Sequence, residues 1–207
     1  MTKEKYIQDL SDIKNMMEKS SRFLSLSGKS GILAGIFALG GAWAGWKTLY
    51  GTESYFNRDL VEFVAISTVI KLGLIALLTL LLSIGFGIYL TRESAKKQGR
   101  PFWDNTSKNL LLSLCYPLMT GGLVSLILIS KGLIGLVAPT TLIFYGLGLI
   151  SASKYTVSDI HYLGIAEVVL GLAAAVFIGY GLFFWALGFG FLHIIYGTVM
   201  YFKYEKQ

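Results

Sequence analysis

Six apolar, glycine-rich segments alternate with short polar stretches along this chain, at about 31–50, 69–90, 109–130, 132–150, 160–179 and 182–201. An α-helix rises about 1.5 Å per residue, so roughly 20 apolar residues span the hydrocarbon of a bilayer. Each segment meets that length. The pattern predicts an all-α fold, a polytopic membrane bundle of six transmembrane helices with an N-terminal amphipathic helix. The chain divides into a cytoplasmic amphipathic arm over 1–30, a six-helix transmembrane domain over 31–202 and a cytoplasmic tail over 203–207.

Within the arm, Tyr6, Leu10, Ile13, Met17 and Leu24 recur at helical spacings, while Lys5, Lys14, Glu18 and Lys19 fall off that stripe. Such a helix can lie at the membrane interface with its basic residues on lipid headgroups. It can equally pack on the cytoplasmic ends of the bundle, or dock a soluble partner. A charged, helix-like stretch of 30 residues ahead of the first apolar segment does not fit a cleaved secretory signal.

The first span carries a small-residue face of Gly31, Gly35, Ala38, Ala42 and Gly45, and small faces permit close helix approach in lipid. This face serves packing within the chain or self-association. Trp43, Trp46 and Tyr50 mark an outer aromatic belt. In the loop 51–68, Asp59 and Glu62 have capping-box spacing for the second helix, and Lys71 reads as a boundary residue. Asn105, Thr106 and Ser107 are suited to cap the third helix. Ser130, Lys131 and Gly132 form a tight turn to the fourth. Pro117 and Pro139 are read as mid-span breaks in these two helices, Pro139 being followed by Thr140 and Thr141. Thr156 and Asp159 again have capping-box spacing, before the fifth helix. Gly179–Gly181 is the last outer turn, and Tyr196, Tyr201, Phe202 and Tyr204 read as an inner aromatic belt.

Composition agrees with this reading: 54% of residues are hydrophobic, only 14% are charged, and mean hydropathy is +0.62. Charge then sets direction. Lys3, Lys5, Lys14, Lys19, Arg22, Lys29, Arg92, Lys96, Lys97, Arg100, Lys108, Lys154, Lys203 and Lys206 fall on one side, and Lys47, Arg58, Lys71 and Lys131 on the other. The positive-inside rule places both termini in the cytoplasm. The net charge of +6 then follows from topology and anionic lipid, and no motif suggests nucleic acid. The single cysteine, Cys115, precludes an internal disulfide.

Two ionisable residues lie well inside the last two spans. Glu167 shares a face with Gly164, Gly171 and Ala175; His193 shares one with Ala186, Gly190 and Gly197. Counted from the cytoplasmic boundary at ~1.5 Å per residue, they sit ~8 and ~12 Å deep. A contact between them is expected. A carboxylate in hydrocarbon persists by pairing, protonating or facing water. Glu167 is therefore a polar staple between helices, a group reaching the headgroups, or part of a ligand or proton pathway with His193, Thr120, Thr140, Thr141 and Tyr145. Gly35, Ala38, Ala42, Gly171 and Gly190 are the expected packing positions.

Catalytic motifs are not found. His161 and His193 are the only histidines, and neither H-E-x-x-H, G-x-S-x-G nor a P-loop occurs. The reading is of no enzyme, no cofactor and no metal.

Residues Met16-Met17-Glu18 and Ser20-Ser21-Arg22-Phe23-Leu24-Ser25-Leu26-Ser27-Gly28, together with Ala138-Pro139-Thr140-Thr141-Leu142-Ile143-Phe144-Tyr145-Gly146 and Phe184-Trp185-Ala186-Leu187-Gly188-Phe189-Gly190, resemble a family of six-span integral membrane proteins of Bacteroidetes-type bacteria. The resemblance runs nearly end to end. It implies a multi-pass protein of the bacterial inner membrane and no particular activity.

Two functions are weighed. One is a small channel or transporter with a polar site around Glu167 and His193. The other is a non-transporting membrane scaffold or sensor subunit acting through its basic cytoplasmic face. The expected partner is the lipid bilayer; a second copy of the chain and a cytoplasmic protein are the further partners the pattern allows.

Overall fold

The computed structural model describes residues 27–50, 66–97, 99 and 101–206. The expected N-terminal amphipathic helix and the Asp59–Glu62 cap lie outside the described residues. Among the described residues the fold is an all-α helical bundle with six helices long and apolar enough to cross a membrane. That is the make-up of a multi-pass integral membrane protein.

The helices are α1 (Gly28–Tyr50), α2 (Ile66–Lys97), α3 (Asn105–Ser130), α4 (Val137–Ala152), α5 (Asp159–Val176) and α6 (Gly181–Glu205). Short 3-10 turns lengthen α4 at both ends to Ile134–Tyr155. In α6, α-type bonding over Gly181–Trp185 and His193–Met200 alternates with π-type bonding over Ala186–Leu192 and Tyr201–Glu205.

Connections follow turn chemistry. At the end of α3 the Gly132 N–H donates to the Ile129 carbonyl and the Leu133 N–H to that of Leu128, with Gly132 at φ +75°. This is a Schellman turn, which needs glycine at its left-handed position. Helix α3 begins at an N-cap supplied by Asp104, which accepts from the Ser107 N–H at 2.7 Å. The expected caps Asn105, Thr106 and Ser107 fall inside the first turn instead, because the extended residue is Asp104. Before α5, Thr156 is extended, and the Asp159 carboxylate turns to α6, where it meets Lys203. Pro139 is not a mid-span break: α4 becomes α-helical only at Val137, so this proline lies in the first turn, where its missing N–H removes no bond.

Helix α1 packs on α2 and α6, and α4 on α3 and α5. Helix α6 also touches α4 and α5, and α2 and α3 lie at the margins. Glycines set the closest approaches. A Cβ on Gly35 would lie 2.6 Å from the Gly190 carbonyl oxygen, and one on Gly197 2.5 Å from the Ile32 nitrogen, so α1 and α6 meet backbone to backbone. Between α4 and α5, a Cβ on Gly146 would lie 2.5 Å from the Gly164 carbonyl oxygen and one on Gly171 2.9 Å from the Ile143 nitrogen. Ala38 and Ala42 are buried beside Gly35. The small-residue faces are thus used within the chain.

The bundle exterior is apolar. On α2, Leu74, Leu78, Leu81 and Ile88 are all exposed. An apolar surface of this extent suits lipid and not water. Trp43 and Trp46 are exposed near the end of α1, with Lys47 lying 4.2 Å over the Trp43 ring.

Candidate functional site

The contact of α4, α5 and α6 contains the buried ionisable pair. Glu167, on α5, has no exposed surface, and His193, on α6, is 7% exposed. Glu167 Oε1 lies 3.5 Å from His193 Nδ1. Among the described residues neither carboxyl oxygen has a hydrogen-bond partner.

Helix irregularity creates the space. In the π-type stretch Ala186–Leu192 the ladder is widened by a residue per turn, a feature often found at functional positions. The Gly188 carbonyl accepts from His193 Nδ1 at 3.0 Å, five residues away. Gly188 has no side chain where the carboxyl sits; a Cβ there would collide with Glu167 Oε2 and lie 2.6 Å from Leu142 Cδ2. Glycine here is required by the close approach of α5.

Because a carbonyl only accepts, the Nδ1–Gly188 bond puts a hydrogen on Nδ1. In neutral His193, Nε2 is then an acceptor. It meets the Tyr145 hydroxyl at 2.7 Å, which donates to it. The rings are also packed: Tyr145 and His193 centroids are 5.4 Å apart, Tyr145 and Phe189 4.9 Å, and Phe189 and His193 6.1 Å. The imidazole is therefore held against two neighbouring aromatic rings and at both nitrogens.

The arrangement accommodates two states of equal total charge. In one, Glu167 is a neutral acid and His193 a neutral imidazole. In the other, a carboxylate faces an imidazolium whose Nδ1–H points toward Gly188 and Glu167 and whose Nε2–H donates to the Tyr145 oxygen. A phenol can donate or accept, so Tyr145 serves either state. Net neutrality matters because an unbalanced charge in a low-dielectric interior is costly.

Of the expected site residues, Glu167, His193 and Tyr145 come together. The three threonines do not join them by hydrogen bonds: Thr120 bonds the Tyr116 carbonyl, Thr140 that of Leu136 and Thr141 that of Ala138, at 2.7–2.9 Å. Thr120 is exposed on the outer side of α3. Two residues join the site that the sequence does not assign to it, Gly188 and Tyr196. Tyr196, one turn beyond His193, reads as part of the aromatic belt, but its hydroxyl is buried inside the bundle without a hydrogen-bond partner among the described residues. Its spacing of three from His193 is the signal that places both on one face.

At the end of the bundle where α5 starts and α6 stops, Lys203 Nζ lies 2.9 Å from Asp159 Oδ2, and the Tyr204 hydroxyl donates to the same oxygen at 2.9 Å. Close by, the Glu205 carboxylate accepts from the Gly28 N–H, capping α1 with a residue from α6. Among the described residues no group of three or more His, Cys, Asp or Glu is arranged to hold a metal ion. No family model, no curated protein and no solved structure matches the chain.

Proposed function

We propose that this protein is a small proton-linked channel or transporter in which Glu167, with His193 and Tyr145, is the proton-accepting site. The observation that carries the reading is the carboxyl of Glu167, fully enclosed, without hydrogen-bond donors among the described residues, and 3.5 Å from an imidazole tied at both nitrogens. A purely structural staple gains from hydrogen bonds that fix it, and this carboxyl has none there. Ionisable groups inside membrane helices are costly to bury, and proton relays are one of the roles that retain them.

In this reading the protein sits in the bacterial inner membrane, as its family resemblance implies, with both termini cytoplasmic. The end of the bundle carrying Lys29, Arg92, Lys96, Lys97, Lys108, Lys154, Lys203 and Lys206 then faces the cytoplasm. The same concentration of positive charge favours the second reading, a scaffold or sensor subunit that meets anionic lipid or a cytoplasmic protein through this face.

The test is proton movement. Purified protein in liposomes with a trapped pH dye is given a pH gradient and a potassium diffusion potential. Proton entry at least tenfold faster than in protein-free liposomes, lost on His193→Leu, is the expected result. A rate equal to that of protein-free liposomes would contradict the transport reading and leave the scaffold reading standing.

A further inference from the structure

The Glu167 carboxyl has no exposed surface, so a proton must reach it through other side chains. From His193 a series of oxygens leads toward one end of the bundle. The Tyr145 hydroxyl contacts Nε2. The Tyr196 hydroxyl is buried one turn beyond His193 on α6, and its ring packs with Tyr145 against one buried apolar cluster that includes Ile160, next to Asp159. Asp159 is partly exposed and holds Tyr204 and Lys203 at the α6 terminus. Along α6, His193 to Lys203 is ten residues, on the order of 15 Å at helical rise. Around this series lie Leu149, Val157, Ile160, Leu163 and Met200, a buried apolar cluster against which Tyr145 and Tyr196 pack.

We infer that Tyr196 is the switchable link of a proton path that joins the Glu167–His193–Tyr145 site to the Asp159–Tyr204–Lys203 end of the bundle. The inference rests on the proton-site reading above and adds its route and its side. Every other member of the series has a hydrogen-bond or ion-pair contact, whereas the Tyr196 hydroxyl has no hydrogen-bond partner among the described residues. It is a buried donor and acceptor on the face of α6 that runs from His193 toward Lys203, and a turn of its side chain or one bridging water completes the path.

The proton balance is simple. From the site one proton short, a Glu167 carboxylate beside a neutral His193, Asp159 takes a proton from hydronium at the open end and passes it to the Tyr196 oxygen, which releases its own hydrogen to the Tyr145 oxygen. Tyr145 releases its hydrogen to His193 Nε2, and the imidazolium gives its Nδ1 hydrogen to the Glu167 carboxylate. Asp159 ends as a carboxylate and Glu167 as an acid. Both tyrosines keep one hydrogen each, and His193 changes tautomer.

The route is tested at His193, which carries an N–H in either state. With ¹⁵N-histidine labelling in a His161→Gln background, only one imidazole remains, and solid-state NMR in bilayers follows its exchange with D₂O. Tyr196→Phe is expected to slow that exchange at least tenfold, and Asp159→Asn to slow it as well. Phe184→Leu, toward the opposite end of α6, is expected to leave it unchanged. Unchanged exchange in Tyr196→Phe would overturn the route, and equal slowing in Phe184→Leu would do so too, by assigning exchange to general opening of the bundle. Slowed exchange in Tyr196→Phe without proton flux in liposomes would instead refute transport and leave the route intact.

Discussion

Oε1 of Glu167 lies 3.5 Å from Nδ1 of His193, longer than an ordinary hydrogen bond, while the same Nδ1 is 3.0 Å from the Gly188 carbonyl oxygen. The imidazole hydrogen is held by the carbonyl and remains within reach of the carboxyl. That geometry depends on the bare α-carbon of Gly188. Gly188→Ala is therefore expected to displace the Glu167 carboxyl and to lower both unfolding temperature and proton flux. Unchanged values for both in detergent and in liposomes would refute this account of the glycine.

The two buried tyrosines are expected to behave oppositely. Tyr145→Phe removes the donor to Nε2 and leaves a buried ring nitrogen unpaired, a loss of about 1–3 kcal/mol of stability. Tyr196→Phe removes a hydroxyl that has no partner among the described residues, so stability is expected to hold or rise. Denaturation of both variants in one detergent checks the contrast. An equal loss in both would contradict it.

Glycine packing gives a second contrast, on α1. Gly35→Leu drives side-chain atoms into the Gly190 carbonyl and the Ile194 nitrogen, neither of which can move without shifting α6. Overpacking of this kind costs about 1–3 kcal/mol or more. Gly40 has open space around it, so Gly40→Leu is expected to leave the unfolding temperature nearly unchanged. Similar losses for the two would remove the close-approach argument.

Asp104 sets a pH dependence at the start of α3. Hydrogen bonds from the Ser107 N–H and hydroxyl hold its carboxyl below the usual value of 3.8. A folded-state value lower than the unfolded one contributes stability that is present above about pH 3.8 and is lost as pH falls through the lower, folded-state value. Asp104→Ala is expected to remove a cap worth roughly 1 kcal/mol at neutral pH and to flatten the acid limb of the stability curve. Hydrogen exchange at the first turn of α3 measures it; an unaltered exchange rate would argue against the cap.

Much of the architecture was legible because bilayer thickness fixes helix length. All six spans and the Gly132 and Gly179 turns follow from runs of apolar residues and glycine placement. The pairing of Glu167 with His193 was legible too, since each lies on the small-residue face of its helix. Rotation of the other helices was not. Thr120 was grouped with the site by position along the chain, yet lies outside on α3, because nothing in a nearly uniform apolar helix states which side is buried. Pro139 reads as a mid-span break from sequence, whereas the start of the α-helix after a 3-10 turn is decided by packing rather than composition. The π-type stretch around Gly188 arises where α6 fits against Glu167 and Leu142, a tertiary constraint with no local pattern. Tyr196 resembled an interfacial anchor by its neighbours Tyr201, Phe202 and Tyr204, while its spacing from His193 pointed inward.

The central claim is that Glu167 handles protons and does not merely hold α5 to α6. Glutamine keeps the shape and hydrogen-bonding capacity of the side chain and removes its titrating group. Proton flux of Glu167→Gln, reconstituted beside the parent chain at equal protein content, tests the claim most directly. The account predicts a variant that unfolds within a few degrees of the parent and conducts protons at least tenfold more slowly. A Glu167→Gln protein that folds and moves protons at the parent rate would contradict it and leave Glu167 a structural staple.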